Sequence, residues 1–212
     1  MDLLDDLPSS DVALGPGAVV LGGFAARSAV SLLSDLQQVA AVARFRNMIT
    51  PGGRRMSVAM TNCGRLGWVT DRDGYRYATL DPMSGREWPE MPATFRDLAA
   101  RAAEAAGFGG FEPDACLINR YEVGSRLSLH QDRNESDLSS PIVSVSLGLP
   151  ATFLWGGLQR GDRPRRIRLA NGDIVVWGGP SRLAFHGIDV LAAGSHRLTG
   201  PVRYNLTFRR AG

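Results

Sequence analysis

The 212-residue chain has no lysine, only two cysteines and only three histidines, so its 24 basic residues are all arginine, against 21 acidic residues. Two isolated cysteines, Cys63 and Cys116, exclude a cysteine-rich zinc module and argue against a disulfide framework. We expect both to be free thiols in or near the core. No apolar run approaches the roughly 18–20 residues that a membrane span requires, so we expect no membrane partner.

The composition indicates one soluble globular unit. Hydrophobic residues make up 44% of the chain and charged residues 21%, which is ordinary for a folded domain. The length suits a single domain over residues 1–212 with its own core. The first residues, MDLLDDLPSSDVALG, begin acidic and lack the positive region and apolar core of a secretory signal, which predicts a cytoplasmic location. No second apolar face is evident, so we expect a monomer.

Helical periodicity is confined to the first half of the chain. Apolar residues recur at helical spacing over residues 25–41 and again over residues 93–106, which predicts two amphipathic helices. Pro92 or Thr94 marks the start of the second helix, and Gly107 is a natural end. Residues 44–89 are rich in Gly, Pro, Arg and Met and contain three short strand-like pieces. We interpret this stretch as an appended β flap.

From about residue 114 onward the pattern is that of β-structure. Short strand-like runs alternate with Gly, Pro, Asn and Asp: DACLINRYE, RLSLH, PIVSVSLGL, ATFLW, RRIRLA, DIVVW, RLAFHG and VRYNLTF. Eight strands without intervening helices predict a two-sheet jelly roll with the helices on one outer face. The predicted fold class is therefore mostly β with some α.

Two of the histidines stand at positions that suggest a metal site. His130 and Asp132 lie at i and i+2 at the end of a predicted strand, where the period of two turns both side chains to one face. His186 ends another predicted strand, which a jelly roll can bring beside this pair. Two imidazoles and one carboxylate form the facial triad of non-haem Fe(II) oxygenases, which leaves positions open for a cosubstrate and dioxygen. A lone histidine is more commonly structural, and we assign His196 to the surface.

A polar row near the C-terminus suggests a site for a dicarboxylate. Alternation over residues 203–209 places four polar side chains on one face: Arg203, Asn205, Thr207 and Arg209. Without a metal site, this row is more typical of a half-exposed strand whose charged face meets water. Beside an iron site, it suits 2-oxoglutarate, because a guanidinium binds a carboxylate bidentately and stays charged when desolvated. Asn119 and Tyr121 share a strand face and offer further hydrogen bonds.

Five arginines lie close together between Arg160 and Arg168. Such a run is usually a solvated hairpin face, but arginine also binds phosphate bidentately. Trp155 and Trp177 lie within predicted strands and are assigned to the core.

At this point the motifs resemble a known family. Six segments in the β half carry the likeness: INRY at 118–121, LSLHQD at 127–132, PIVSVSLGLPA at 141–151, GDIVVWGG at 172–179, FHGI at 185–188 and RYNLTFR at 203–209. The flap adds TPGG at 50–53, MSVAMTNCG at 56–64 and LGW at 66–68. Together, from about residue 15 to the end, they closely resemble the AlkB family of DNA and RNA dealkylases.

The resemblance implies a double-stranded β-helix in which His130, Asp132 and His186 hold Fe(II). It implies that Arg203, with Tyr121, pairs with the far carboxylate of 2-oxoglutarate. Three more residues would line that pocket: Asn119, Asn205 and Arg209. The implied reaction uses dioxygen for DNA repair, removing methyl groups from bases such as 1-methyladenine and 3-methylcytosine.

The resemblance also implies how the substrate binds. The flipped base would stack between Trp68 and His130 under a nucleotide-recognition lid formed by residues 44–77. Met60 would line the pocket, and three residues would hold the nucleic-acid backbone or sugar: Thr50, Tyr75 and Arg160. From the residues alone, a core anchor is the favoured interpretation of Trp68, because aromatic side chains are mostly buried. Tyr75 is equally an ordinary strand residue of the flap.

One position departs from the family pattern. Asn134 stands where well-known bacterial sequences have an aspartate that faces the exocyclic amino group, and Asn supplies no negative charge. Glu135 is close enough to compensate. Two alternatives remain open: a related Fe(II) oxygenase that hydroxylates a protein or small molecule, and a barrel that binds metal or nucleic acid without turnover. Residues 44–77 distinguish a dealkylase from such a hydroxylase, which would share the barrel but would lack the basic, aromatic lid.

Overall fold

The computed structural model describes residues 10–212. The first nine residues lie outside the described residues. They include most of the acidic segment on which the predicted cytoplasmic location rests. Two α-helices occur in the described part of the chain, α1 (Ala29–Val42) and α2 (Ala93–Ala105). Neither is long and apolar enough to cross a bilayer.

The described residues form thirteen strands. Their bounds are β1 (Val12–Gly15), β2 (Ala18–Leu21), β3 (Ala59–Gly64), β4 (Gly67–Asp71), β5 (Gly74–Ala78), β6 (Ala115–Glu122), β7 (Leu127–His130), β8 (Ile142–Gly148), β9 (Ala151–Trp155), β10 (Arg165–Leu169), β11 (Ile174–Trp177), β12 (His186–Ile188) and β13 (Val202–Arg209). The larger sheet has the order β1-β2-β11-β8-β13-β6-β3, and the smaller has the order β10-β9-β12-β7. Strands β4 and β5 form a separate two-stranded sheet, the β4–β5 hairpin. The neighbouring strands pair antiparallel, as the predicted jelly roll requires.

Both helices form where the apolar spacing predicts them. In α1 the buried residues recur three or four apart, and the helix begins four residues later than predicted because Ala26–Ser28 form a 3-10 turn. Pro92 is the N-cap of α2. The helix ends before Gly107, which adopts a positive φ of 87°, a conformation that favours glycine.

The helices cover the outer face of the larger sheet, and strand alternation sorts apolar from polar residues. On β13, Leu206 and Phe208 join the core beneath the helices, where the ring of Phe208 meets Phe95 of α2 edge to face. Arg203 and Asn205 point the other way and line a cavity in the molecule. The period of two thus gives the sheet an apolar outer face and a polar inner one.

The eight predicted strands correspond to β6–β13, with one error in position. The segment RLAFHG was predicted to be a strand that ends at His186, but β12 begins there. The residues just before it turn instead, because Ala184 donates its backbone N–H to Ser181 and Phe185 donates to Gly157. The sequence interpretation also missed the β1–β2 hairpin, which extends the larger sheet through β11.

The flap predicted over residues 44–89 is only partly separate from the two main sheets. Its three strand-like pieces form β3, β4 and β5. However, β3 pairs with β6 over six residues and is the edge of the larger sheet. Only the β4–β5 hairpin stands apart, so the flap is anchored by a strand of the main fold.

Candidate metal and cosubstrate site

Three side chains converge where β7 and β12 pair. His130 and His186 are direct partners in the register of these strands, and their ring centroids lie 4.4 Å apart. Asp132 follows two residues after β7, and its carboxylate oxygens lie 3.7 Å from Nε2 of each histidine. The three ligand atoms all lie within 4.8 Å of one another. This spacing suits three ligands of a single metal ion.

Backbone carbonyls orient both imidazoles. Nδ1 of His130 lies 2.8 Å from the carbonyl oxygen of Ser128, and Nδ1 of His186 lies 3.0 Å from that of Ala184. A carbonyl oxygen only accepts, so each Nδ1 carries the hydrogen and donates it. Each Nε2 therefore keeps its lone pair facing Asp132, which is the tautomer that a metal ligand needs.

The electrostatics of the cluster also favour the protonation states that a metal ligand needs. Burial, reinforced by the neighbouring His130, lowers the pKa of His186 to about 4. Burial opposes the charge of Asp132, but the Arg209 guanidinium and the two histidines outweigh it and hold the pKa of that carboxyl below its usual range. At neutral pH the cluster thus offers an anionic carboxylate beside a neutral His186, as divalent metal binding requires.

A cavity of about 860 Å³ opens from this cluster. Its polar wall includes the residues predicted for the cosubstrate: Asn119, Tyr121, Arg203, Asn205 and Arg209. Arg203 is only 1% exposed and Arg209 only 5%. The alternative of a charged strand face that meets water is therefore wrong.

The buried arginines retain unpaired donors. Arg203 donates from Nη2 to Ser146 Oγ at 3.0 Å, while its Nε and Nη1 have no partner. Nη1 of Arg209 is also unpaired. Each buried donor left unsatisfied costs about 1–3 kcal/mol. A dicarboxylate such as 2-oxoglutarate would satisfy these groups, so the residues present fit that cosubstrate.

Aromatic side chains stand at the cavity mouth. Trp68 on β4 stacks against Tyr75 on β5, with ring centroids 5.8 Å apart and an interplanar angle of 24°. Trp68 Nε1 donates to Asn134 Oδ1 at 3.4 Å. Both aromatic residues and Asn134 line the cavity, together with the buried Met60. Trp68 is therefore a cavity residue that also packs, partly buried, against the core.

The arginine run divides between two roles. Arg160 and Thr50 both line the cavity. The guanidinium carbon of Arg160 lies 5.2 Å from the centroid of the Phe185 ring. Arg166 instead pairs with Asp189, outside the cavity. Four further arginines line the cavity and make it basic: Arg54, Arg55, Arg126 and Arg133.

Three residues differ from their expected placement. Glu135 does not line the cavity, since its side chain is 2% exposed and pairs with Arg182 and Arg209. His196, assigned to the surface, is buried because its loop folds back through hydrogen bonds with Gly200 and Leu198. Trp177 is buried as predicted but also lines the cavity, with its ring centroid 4.8 Å from that of His186. The two cysteines are free and buried, as expected.

Sequence reasoning missed two residues that support the cluster. Arg182 donates from Nη1 to the backbone oxygen of Asp132 at 2.7 Å and is almost fully buried. Ser146 accepts from Arg203. The alternation in PIVSVSLGL could have indicated Ser146, because Ser144 and Ser146 share one strand face while Val143, Val145 and Leu147 occupy the opposite, core-facing one. Nothing in the pattern distinguishes Arg182 from an exposed arginine.

Comparison with known proteins places this geometry in a family. Residues 17–209 match the family model of the 2OG-Fe(II) oxygenase superfamily. The alpha-ketoglutarate-dependent dioxygenase AlkB of Salmonella typhimurium is 59% identical over 211 residues, covering 100% of this chain and 98% of the relative. The protein of the same name from Escherichia coli is 57% identical over 212 residues, with the same coverage of both chains.

A solved structure agrees with these matches. The structure of OsALKBH1 superposes with a TM-score of 0.83 at 28% identity, covering 94% of this chain and 99% of the other. The chain therefore belongs to the 2OG-Fe(II) oxygenase superfamily and, within it, to the AlkB family of alpha-ketoglutarate-dependent dioxygenases.

Proposed function

We propose that this dioxygenase repairs nucleic acids by oxidative dealkylation of bases methylated at a Watson–Crick nitrogen, such as 1-methyladenine and 3-methylcytosine. The substrate is damaged single- or double-stranded DNA, and RNA is a second substrate. One observation carries the proposal: a single cavity joins the His130, Asp132 and His186 cluster to a basic mouth with an aromatic pair. That mouth is the feature that a protein or small-molecule hydroxylase does not need.

In this proposal His130, Asp132 and His186 hold Fe(II), and the polar wall holds 2-oxoglutarate. Arg203 binds the far carboxylate, and Tyr121, whose ring lies 5.1 Å from the guanidinium carbon, closes that end. The carboxylate nearer the metal meets Asn119, Asn205 and Arg209. When bound, Fe(II) with 2-oxoglutarate and dioxygen would supply the oxidant for an N-methyl C–H bond. The methyl group would leave as formaldehyde, and 2-oxoglutarate would be converted to succinate and carbon dioxide.

The mouth selects the damaged base. A base methylated at a pairing nitrogen cannot pair normally, so flipping it out of a strand costs less than flipping a normal base. The flipped base stacks between Trp68 and the imidazole of His130, and the indole face attracts a cationic ring. Met60 borders the same space, while Tyr75 holds the nucleic-acid backbone or sugar. Asn134 contacts the exocyclic group, while Glu135 acts from behind the cavity wall.

Arginine neutralises the phosphate backbone. The arginines that line the cavity, including Arg160, meet phosphates, and Thr50 hydrogen-bonds the backbone or sugar. Such contacts position the strand without reading its sequence. Binding is then expected to weaken as salt rises, because phosphate contacts release counterions.

Formaldehyde release tests the proposal. The protein is loaded anaerobically with Fe(II) and 2-oxoglutarate, and oxygen is then added with an oligonucleotide that contains 1-methyladenine. We expect formaldehyde and succinate in equal amounts and an unmethylated product. An unmethylated oligonucleotide is the control. Turnover of a protein or small molecule, with none on methylated DNA or RNA, would favour a hydroxylase, and binding without any turnover would favour a non-catalytic barrel.

We further propose that residues 1–212 act as a single-domain monomer in the cytoplasm, with residues 44–77 as the lid. The pairing of β3 with β6 supports one domain, because it ties the lid segment to the main sheet. Light scattering after size-exclusion chromatography tests the monomer, and cell fractionation tests the location. A dimer, or activity confined to a membrane or secreted fraction, would contradict these parts of the proposal.

A further inference from the structure

A buried carboxylate lies behind the cavity wall, three residues after Asp132. The Glu135 side chain is 2% exposed. Its Oε1 accepts a hydrogen bond of 2.7 Å from the hydroxyl of Tyr77 and lies 3.3 Å from Nε of Arg209. Its Oε2 lies 3.1 Å from Nη2 of Arg182. A buried charge is stable only with such partners, so the four side chains form one unit.

Both arginines of this unit hold Asp132. Arg209 donates from Nε and Nη2 to Asp132 Oδ2 at 3.0 and 2.5 Å. Arg182 donates from Nη1 to the backbone oxygen of Asp132 at 2.7 Å and from Nε to the backbone oxygen of Ser140 at 3.0 Å. The carboxylate and the backbone of Asp132 are thus fixed by two guanidinium groups that share Glu135.

The fourth member belongs to the lid. Tyr77 is the register partner of Trp68 in the β4–β5 hairpin. Neither Tyr77 nor Glu135 lines the cavity, so neither is placed to touch a bound base. The Tyr77 hydroxyl nevertheless ties the hairpin that carries Trp68 to Glu135.

We propose that Glu135 is a positioning residue that couples the β4–β5 hairpin to the metal-binding carboxylate. It does so through Tyr77 on one side and through Arg209 and Arg182 on the other. The inference rests on the proposed role of Asp132 as a metal ligand. Coupling between two sites is reciprocal, so a change in the hairpin alters metal affinity and metal binding steadies the hairpin.

Tyr77→Phe tests the coupling from the hairpin side. Cobalt(II), which accepts the same ligands as iron(II), is titrated anaerobically and followed by its visible absorption. We expect the Kd for cobalt to rise about fivefold or more, although the Tyr77 hydroxyl hydrogen-bonds to Glu135 and not to a metal-binding residue. Tyr204→Phe is the matched control, since it also removes a phenol hydroxyl, from a tyrosine whose ring packs against Phe45. Its Kd should equal that of the parent protein.

A double-mutant cycle shows whether Glu135 carries the effect. Glu135→Gln should weaken cobalt binding by itself, and adding Tyr77→Phe to it should change the Kd no further. Hydrogen exchange gives the reverse readout, since cobalt should slow exchange in the β4–β5 hairpin of the parent but not of Glu135→Gln. An unchanged Kd in Tyr77→Phe, or independent effects of the two substitutions, would overturn the proposal. The urea midpoint of each variant shows whether the substitution impairs folding. A general loss of stability would lower the midpoint without making the effect of Tyr77→Phe on the cobalt Kd depend on Glu135.

Asp132→Asn separates the two hypotheses. If Asp132→Asn leaves cobalt affinity unchanged, the proposed metal site is wrong, and the coupling fails with it. If Asp132→Asn abolishes binding while Tyr77→Phe has no effect, the metal site stands and only the coupling is wrong.

Discussion

His130 and His186 are direct partners across the antiparallel strands β7 and β12, although 56 positions separate them in the sequence. The pairing brings their ring centroids to 4.4 Å, and a backbone carbonyl orients each ring. The strand register and the two backbone carbonyls thus organise the site. Its protonation and its ligand contacts give four testable predictions beyond the coupling experiment, and the packing of α2 on the larger sheet gives a fifth.

The metal-free protein should lose stability as the pH falls from about 6.5 to about 4. The pKa of His186 is lowered from 6.5 to about 4 by burial, so in this range the unfolded chain takes up a proton that the folded protein refuses. The loss is on the order of 3 kcal/mol at its full extent. Urea unfolding across this pH range measures it. The dependence of the unfolding free energy on pH should be weaker in His186→Gln. An equal dependence in both proteins would show that His186 does not cause the loss.

Arg203→Lys should raise the KM for 2-oxoglutarate roughly tenfold to hundredfold, because an ammonium cannot replace a bidentate guanidinium. Succinate formation against 2-oxoglutarate concentration gives the KM. Arg101→Lys, on the outer side of α2 over the Phe24 ring, is the control and should leave the KM unchanged. An unaltered KM in Arg203→Lys would remove Arg203 from the cosubstrate site.

Trp68→Ala should raise the KM for a methylated oligonucleotide about 5-fold to 100-fold, since base stacking contributes about 1–3 kcal/mol. The KM for 2-oxoglutarate should stay the same, because Trp68 stands at the mouth of the cavity and not at its polar wall. Trp68→Phe should keep part of the stacking and give an intermediate value. Equal KM values for all three proteins would show that the base does not stack there.

Asn134→Asp should change the ratio of rates on 1-methyladenine and 3-methylcytosine. The substitution adds a negative charge beside the base and gives the indole Nε1 of Trp68 a charged acceptor at the position it now contacts. Parallel assays on two oligonucleotides that differ only in the methylated base measure the ratio. If the ratio is identical in both proteins, Asn134 has no part in base selection.

Phe95→Ala should lower the free energy of unfolding by about 3–5 kcal/mol. Phe95 is fully buried between α2 and the larger sheet, so its removal leaves a cavity that the helix cannot close. Urea denaturation measures the change. Val42→Ala, on the exposed side of α1, should change stability by no more than about 0.5 kcal/mol. Similar losses in both variants would contradict the packing assignment.

Local periodicity predicted much of the fold. The helices at 93–105 and 29–42 and the strands from β6 to β13 follow from spacings of three to four or of two, because each period turns one face to the core. The position of β12 did not follow, since the turn before His186 is held by carbonyl groups of Gly157 and Ser181. Partners from distant strands leave no trace in a local pattern.

The candidate site divides in the same way. The alternation of β13 indicated the polar row, and the two ligand positions at His130 and Asp132 were visible in one short segment. By contrast, the buried partnership of Glu135 with Tyr77, Arg182 and Arg209 was not. A glutamate beside an asparagine in a polar loop has the same local pattern whether it meets a ligand, water or a buried arginine.

The sequence by itself determined which residue types are available and which face of each strand they occupy, because side-chain direction follows from the backbone period alone. Only the tertiary structure decided which of those faces meet. It set His186 opposite His130, enclosed Arg203 with unpaired donors and placed Glu135 behind the wall. These outcomes depend on contacts between residues far apart in the chain, which form only when the sheets and the hairpin pack together.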